Sequence, residues 1–326
     1  MPIDLNAPPP PEYFEPVDCY FCGSSNRTHY ETVQEDLTGK PGDFTFVSCD
    51  DCGLVYQHPR LTIEHIKDYY DDEYIAHRKD QSWGVLTPFF EWLMTKLDRD
   101  KDGIVKEACG LGAKSNVLDV GCGAGGFLAH IQKKYDCACV GVDFKDLSNV
   151  IAELHPDQAI DFHCGTLAEV GLNPQSFDLI TMWHFLEHDY DPLETLRVAR
   201  SLLKPGGQIV IEVPRLDSVS HSLYRERWPG WQAPQHTVAL DEKQFLRMME
   251  LADLEVVDYL PYGAYPGYFY MYAGAAFKLH KGKGLDLSKS IKTYLLGQIL
   301  TSPIMLFERH LNLSMQTIVC RAQEAH

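Results

Sequence analysis

Positive charge is scarce in this sequence of 326 residues: 29 lysines and arginines stand against 46 acidic residues, a formal net charge of −17. A polyanion repels phosphate, so extended binding along nucleic acid is not expected. Long apolar runs are scarce as well. Two uncharged, unusually apolar stretches, 261–277 and 293–307, each fall short of the roughly 20 residues that span a bilayer. The opening residues, MPIDLNAPPPPEYFEP, have neither a basic segment nor an apolar one. A secretory signal is therefore not expected, and the expected location is cytoplasmic, where disulfides are the least favoured use of ten cysteines. No internal repeat is visible. What is present is ordinary globular composition, 45% apolar and 23% charged, in a length that suits about two domains.

The texture changes along the chain. Residues 1–17 are proline-rich and read as a flexible arm. Residues 18–60 are turn-rich and carry paired cysteines, and 61–113 return to helical spacing as a cover or linker. From 114 to 262, and again over 313–326, short apolar runs (NVLDVG, ACVGVDF, FDLITMW, QIVIEV, LEVVDYL, QTIVCRA) alternate with amphipathic stretches. That alternation predicts an α/β fold with a mostly parallel sheet and helices on both faces. Residues 263–312 form an insertion before the last strand, too long for a hairpin loop.

Cys19 and Cys22 form one CxxC, Cys49 and Cys52 a second, each followed by a glycine (Gly23, Gly53). Two such turns supply four thiolates to one tetrahedral Zn²⁺, a closed and therefore structural site in a zinc ribbon. A module of about 40 residues has little core of its own, so the metal would hold it folded.

NVLDVGCGAGGF places Asp119, Gly121, Cys122, Gly123 and Gly125 between a strand and a helix, where glycines allow positive φ and close ligand approach. One helix and one strand later, Asp143 ends ACVGVDF, where a carboxylate can accept ribose hydroxyls. The pattern D-x-G-C-G-x-G, with FDLITMWHFLEHDYDP and LLKPGGQIVIEVP, resembles the class I S-adenosylmethionine-dependent methyltransferases. The resemblance implies a Rossmann-like sheet and S-adenosylmethionine as cofactor. It implies the glycine turn at the methionine end, Asp119 near the amino group and Asp143 on the ribose, with Phe144 and Trp183 beside them. Many members place an aspartate after the third strand for the adenine amine; here Thr166 and Leu167 stand in that region. With the paired CxxC, the chain is similar to bacterial methyltransferases bearing an N-terminal zinc module, a group that includes sugar-modifying enzymes. There the aromatic run, here Tyr69, Tyr70 and Tyr74, tends to lie over the cofactor; a helix face packed on the core is the other reading.

Methyl transfer to oxygen or carbon needs alignment and proton removal. His184 and His188, after the fourth strand, and His236, after the fifth, are the candidates, with His184 and His236 facing the acceptor. If helical, His184, Glu187 and His188 share one face. H-x-x-E-H resembles the E-x-x-E-H metal motif of ubiquinone-pathway O-methyltransferases and small-RNA methyltransferases, with His236 as a later ligand. A second divalent metal is thus open, as is a purely supporting role for Glu187 and His188. Trp228 and Trp231 either wall a pocket or fill core.

Within the insertion, 278–292 carries five lysines and one aspartate between the two apolar stretches. A lid, a homodimer interface and a membrane-surface element at the inner face of the membrane are all open readings. The expected activity is methyl transfer to a small molecule, glycosyl or lipid-linked, with an apolar part. RNA methylation and a non-catalytic cofactor-binding subunit are the alternatives.

Overall fold

The computed structural model describes residues 4–70, 87–280, 284, 293–299, 301, 303 and 307–323. Near the N-terminus, β1 (Phe14–Glu15) pairs antiparallel with β5 (Arg60–Leu61). Between them β2 (Arg27–Gln34), β3 (Asp43–Cys49) and β4 (Val55–Gln57) form an antiparallel meander. The expected arm is partly built in. Besides the β1 pairing, Tyr13 stacks on His65 at 3.8 Å, and Tyr13 and Phe14, half-buried, pack against an apolar cluster once β5 offers an edge. The short α1 (Ile63–Ile66) and the 22-residue α2 (Thr87–Ala108) follow.

The rest alternates as the apolar pattern requires: β6 (Asn116–Val120), α3 (Gly126–Tyr135), β7 (Ala138–Asp143), α4 (Ser148–Leu154), β8 (Ile160–Cys164), β9 (Phe177–Trp183), α5 (Pro192–Leu202), β10 (Leu203–Pro214), α6 (Val219–Tyr224), β11 (Val238–Ala239), α7 (Glu242–Leu251), β12 (Leu254–Leu260), α8 (Gly267–His280) and β13 (Met315–Ala322). Seven strands form one sheet in the order β12-β13-β10-β9-β6-β7-β8, with β13 antiparallel to both its neighbours. The period of two explains the layers. Val117, Leu179 and Val210 face α2, α3 and α4 through Val105, Leu128, Ile131 and Ile151. Leu118, Ile180, Met182 and Ile211 face α5 and α7 through Leu196, Ala199, Phe245 and Met248. Both faces are covered, so the central strands read as continuous apolar runs. Asp191 and Asp241 cap α5 and α7 by accepting the Glu194 and Gln244 N–H groups.

β8 did not stand out in the sequence because IDFHC is a half-exposed edge strand. The cysteine module is not a separate body. β11 adds to β4, giving a four-stranded sheet β11-β4-β3-β2. The Gln57 N–H donates to Thr237 O at 2.8 Å, and Gln244 Nε2 to Cys52 O at 2.9 Å. Cys19, Cys49, Leu54 and Tyr56 lie in the same apolar cluster as Phe245 and Met248.

Candidate active site

The order of strands reverses at β6, which bonds β7 on one side and β9 on the other, and a crevice opens at the carboxyl ends of the strands. It is a cleft of about 1220 Å³. Gly121 (φ 74°) must be glycine, since a Cβ would lie 2.5 Å from Phe185 Cδ2. The Gly123 N–H donates to Asp143 Oδ2 at 3.0 Å, and the Lys145 N–H to Oδ1 at 3.1 Å. Burial pushes Asp143 above the usual carboxylate range, against these two bonds. Asp119 accepts a 2.6 Å bond from Thr181 Oγ1, and burial pushes it up to about 7. Gly125 is the N-cap of α3, with no side chain to cap its amides, and is not part of the cleft lining. Cys122 turns its thiol inward against Gly141, whose absent Cβ would sit 2.7 Å from Sγ; it is buried and offers the cleft little beyond backbone.

Trp183 lines the cleft with its buried Nε1 unpartnered among the described residues, its ring edge-on to Phe127 at 5.4 Å. Asp98 and Lys101 of α2 also line it, Lys101 Nζ lying 5.4 Å from the Trp183 ring centroid. The sequence reading missed both, although Glu91, Met94, Thr95, Asp98 and Lys101 recur at helical spacing and all reach the cleft. Phe144 meets Tyr70 edge-on at 4.9 Å. The Thr166 hydroxyl and N–H are both spent on Glu169 Oε2, and Leu167 is buried although it touches the cleft. Of the tyrosine run, Tyr69 is core and Tyr70 lines the cleft, while Tyr74 lies outside the described residues. Trp228 and Trp231 are almost wholly buried, their indole N–H groups donating to Ser220 Oγ and Arg225 O at 2.9 Å, so core packing describes most of each ring.

His184, Glu187 and His188 do not share a helix face. Residues 186–188 form a single 3-10 turn, and His184 precedes it in the left-handed region (φ 53°). This turns the His184 ring toward β10, where Nε2 donates to Glu212 Oε1 at 3.0 Å; Nδ1 lies 3.4 Å from Glu187 Oε1. Burial works against its charge, but the two carboxylates outweigh burial and raise His184 to about 9. With both ring nitrogens engaged and a proton on each, it is no proton acceptor near neutrality. Glu212 also accepts the Ala264 and Tyr265 N–H groups at 2.6 and 2.9 Å, and these bonds with His184 hold it below the usual range despite burial. A carboxylate inside QIVIEV was the sequence signal for it.

His236 donates Nδ1–H to Gly230 O at 2.8 Å, which leaves the Nε2 lone pair free. His188 Nδ1 shares a 2.9 Å bond with the Tyr70 hydroxyl. Burial drives both rings down to about 3, so both are neutral. They meet edge to face at 4.4 Å. Glu187, His188 and His236 each bring one ligand atom within 4.8 Å of the others. Both Glu187 oxygens are buried without a hydrogen bond among the described residues. A buried carboxylate beside two neutral imidazoles is a donor set that fits a divalent cation.

The four cysteine sulfurs of the module also converge, Cys19 on Cys52 at 3.4 Å and Cys22 on Cys49 at 3.6 Å, all within 4.8 Å. Thiolates at about 2.3 Å from one Zn²⁺ stand roughly 3.8 Å apart, so the arrangement fits that ion. Gly23 and Gly53, at φ 67° and 81°, close the two turns by donating to Cys19 O and Cys49 O at 2.8 Å.

Strand order and glycine turn define a Rossmann-like domain with its crevice at the switch point. A family model described as a methyltransferase domain matches residues 94–259, just over half of the chain, and the chain belongs to that family. The ubiquinone biosynthesis O-methyltransferase of Idiomarina loihiensis is 34% identical over 151 residues, 43% of this chain and 61% of that protein. Its namesake in Saccharophagus degradans is 36% identical over 101 residues, 30% of this chain and 42% of that one. The chain thus spans roughly half the length of these curated relatives. A solved S-adenosylmethionine-dependent methyltransferase from Mesorhizobium loti aligns with a TM-score of 0.47 at 14% identity, over 68% of this chain and 97% of that one.

Proposed function

We propose that this chain is an S-adenosylmethionine-dependent methyltransferase that acts on a hydroxyl of a small molecule with an apolar body. The carrying observation is the single cleft in which the glycine turn, Asp119 and Asp143 meet His188, His236, Tyr265 and the aromatic side of α8, through Phe269, Tyr270 and Phe277. When bound, the cofactor supplies an electrophilic methyl on a sulfonium. Asp143, already oriented by Gly123 and Lys145, accepts from the ribose; Asp119 faces the amino group; Phe144 and Tyr70 cover the nucleoside. His184 acts through Glu187 and Glu212 as a positioning residue. His236 Nε2 and His188 face the acceptor as neutral, weakly basic rings that orient its hydroxyl by hydrogen bonding, and the proton it loses on methylation passes to water. The relatives' names favour an oxygen acceptor; lipid-linked and glycosyl acceptors both remain within this reading. RNA is disfavoured by the charge of −17, and a non-catalytic subunit by the acid and histidine groups that share the cleft.

The cysteine cluster holds one structural Zn²⁺, which supplies folding energy and no chemistry. A second reading concerns Glu187, His188 and His236: the buried Glu187 carboxylate, which makes no hydrogen bond among the described residues and only a 3.4 Å ion pair with His184, favours a divalent cation there, one that would polarise an acceptor hydroxyl. The test is calorimetry with S-adenosylhomocysteine, followed by transfer of labelled methyl to a panel of phenols with and without alkyl chains and of sugars. Binding with turnover on alkylated phenols is expected; no cofactor binding by a folded protein would end the proposal.

A further inference from the structure

α8 has a second role open to it. Its inner side, through Tyr270, Ala273 and Phe277, lines the cleft, while the outer border of the insertion exposes large apolar side chains. Leu223, Leu279, Leu296, Ile299 and Phe307 are all exposed, Leu279 to 79% and Ile299 to 70%. Three contacts lay them along this one helix. Lys278 Nζ donates to Leu223 O at 2.7 Å, which brings α6 to the end of α8 that carries Leu279. Tyr294 is buried against Tyr268 and Tyr272, so residues 293–299 run beside α8 with Leu296 and Ile299 outward. Glu308 accepts the Gly267 N–H at 2.6 Å and sets Phe307 at the opposite end. The strip is about 20 Å long, the length of a 14-residue helix.

We propose that this strip docks on an anionic lipid surface. Charge decides the occupant. Lys278 and Arg309 stand next to the strip's two ends, Glu308 is turned inward, and in sequence alone 280–292 carries four lysines against one aspartate, in a chain of net charge −17. Exposed apolar side chains flanked by Lys278 and Arg309 on an otherwise acidic protein suit a membrane surface. A two-fold interface would instead bring two copies of the same cationic border together. No described helix is long and apolar enough to cross a membrane, so the contact is in-plane. The same helix then touches lipid outside and the acceptor side of the cleft inside.

The test is co-sedimentation of the full chain with vesicles of phosphatidylcholine alone or with roughly 30 mol% phosphatidylglycerol. Binding to the anionic vesicles only, released by about 0.5 M salt, is expected. Leu279→Glu with Ile299→Glu, and separately Leu223→Glu, should each weaken it at least tenfold with the melting temperature unchanged. Failure of the wild-type chain to bind anionic vesicles overturns the proposal. So does a wild-type dimer by light scattering that these variants dissociate, since a second copy then covers the strip.

Discussion

Replacing Gly121 by alanine tests the geometry of the cofactor turn. The residue sits at φ 74°, which costs an L-residue about 1–2 kcal/mol. The new Cβ would lie 2.5 Å from Phe185 Cδ2 and 3.0 Å from its Cβ and Cγ, and repacking so crowded a site costs about 1–3 kcal/mol. Lower chain entropy in the unfolded state returns about 0.4–1 kcal/mol, so a net loss of about 2–4 kcal/mol is expected. In a chain of this size that is a drop of roughly 3–6 °C in melting temperature. Gly171 provides the control, for it has φ 63° with nothing within 4 Å of its Cβ position, and Gly171→Ala bears only the conformational cost. Urea denaturation should separate the two variants by about 1–3 kcal/mol. Phe185 lies between His184 and the turn that carries Glu187 and His188. Gly121→Ala should therefore also weaken S-adenosylhomocysteine binding at least tenfold by calorimetry, and Gly171→Ala should not. Equal stability losses within about 0.5 kcal/mol would refute the argument that Phe185 is what demands glycine.

Asp119 gives a pH dependence. Burial raises its folded value to about 7, so it stays largely protonated in the free protein up to neutrality. A ligand ammonium requires the carboxylate, so affinity for S-adenosylhomocysteine should rise up to about tenfold per pH unit between 5 and 7 and flatten above; Asp119→Asn should abolish the slope. In the unliganded protein the stability contribution of the same group has the opposite direction, full below pH 4 and lost as pH rises through 7. The purified chain should hold one zinc by mass spectrometry. Because the module shares its core with α7, Cys49→Ser should lower a single melting transition instead of creating a second; an unchanged melting temperature would sink the structural role. After chelation and zinc reloading, Mn²⁺ binding followed by water-proton relaxation should be lost in Glu187→Gln and His236→Gln with zinc content unchanged. Equal Mn²⁺ binding in both variants would remove the second metal. Asp143→Asn keeps its shape but swaps one acceptor for a donor, and should weaken nucleoside binding by about 1.5–3 kcal/mol, or tenfold to 150-fold.

Much of this molecule was legible before any coordinates. The alternation of apolar runs and amphipathic stretches predicted six of the seven sheet strands, and the missing one, β8, is the half-exposed edge where periodicity is weakest. The paired CxxC turns and the glycine turn were legible because each depends on residues a few positions apart. Legibility ended where partners come from distant strands. H-x-x-E-H promised a helix face, yet one left-handed residue, His184, sent its ring to Glu212, 28 residues away, and left Glu187 and His188 to meet His236 instead. Tyr69 and Tyr70 are neighbours with opposite fates, core and cleft.

By itself the sequence determined the order of elements, the two cysteine turns and the acidic and glycine positions around a nucleoside, since these follow from local backbone preference and hydrophobic periodicity. Only the tertiary structure decided that β11 belongs to the cysteine module's sheet, that Asp98 and Lys101 reach the cleft from α2, and which histidine is clamped as a cation. Those outcomes depend on which charges and apolar faces are buried together, and burial is a property of the packed chain rather than of any stretch of it.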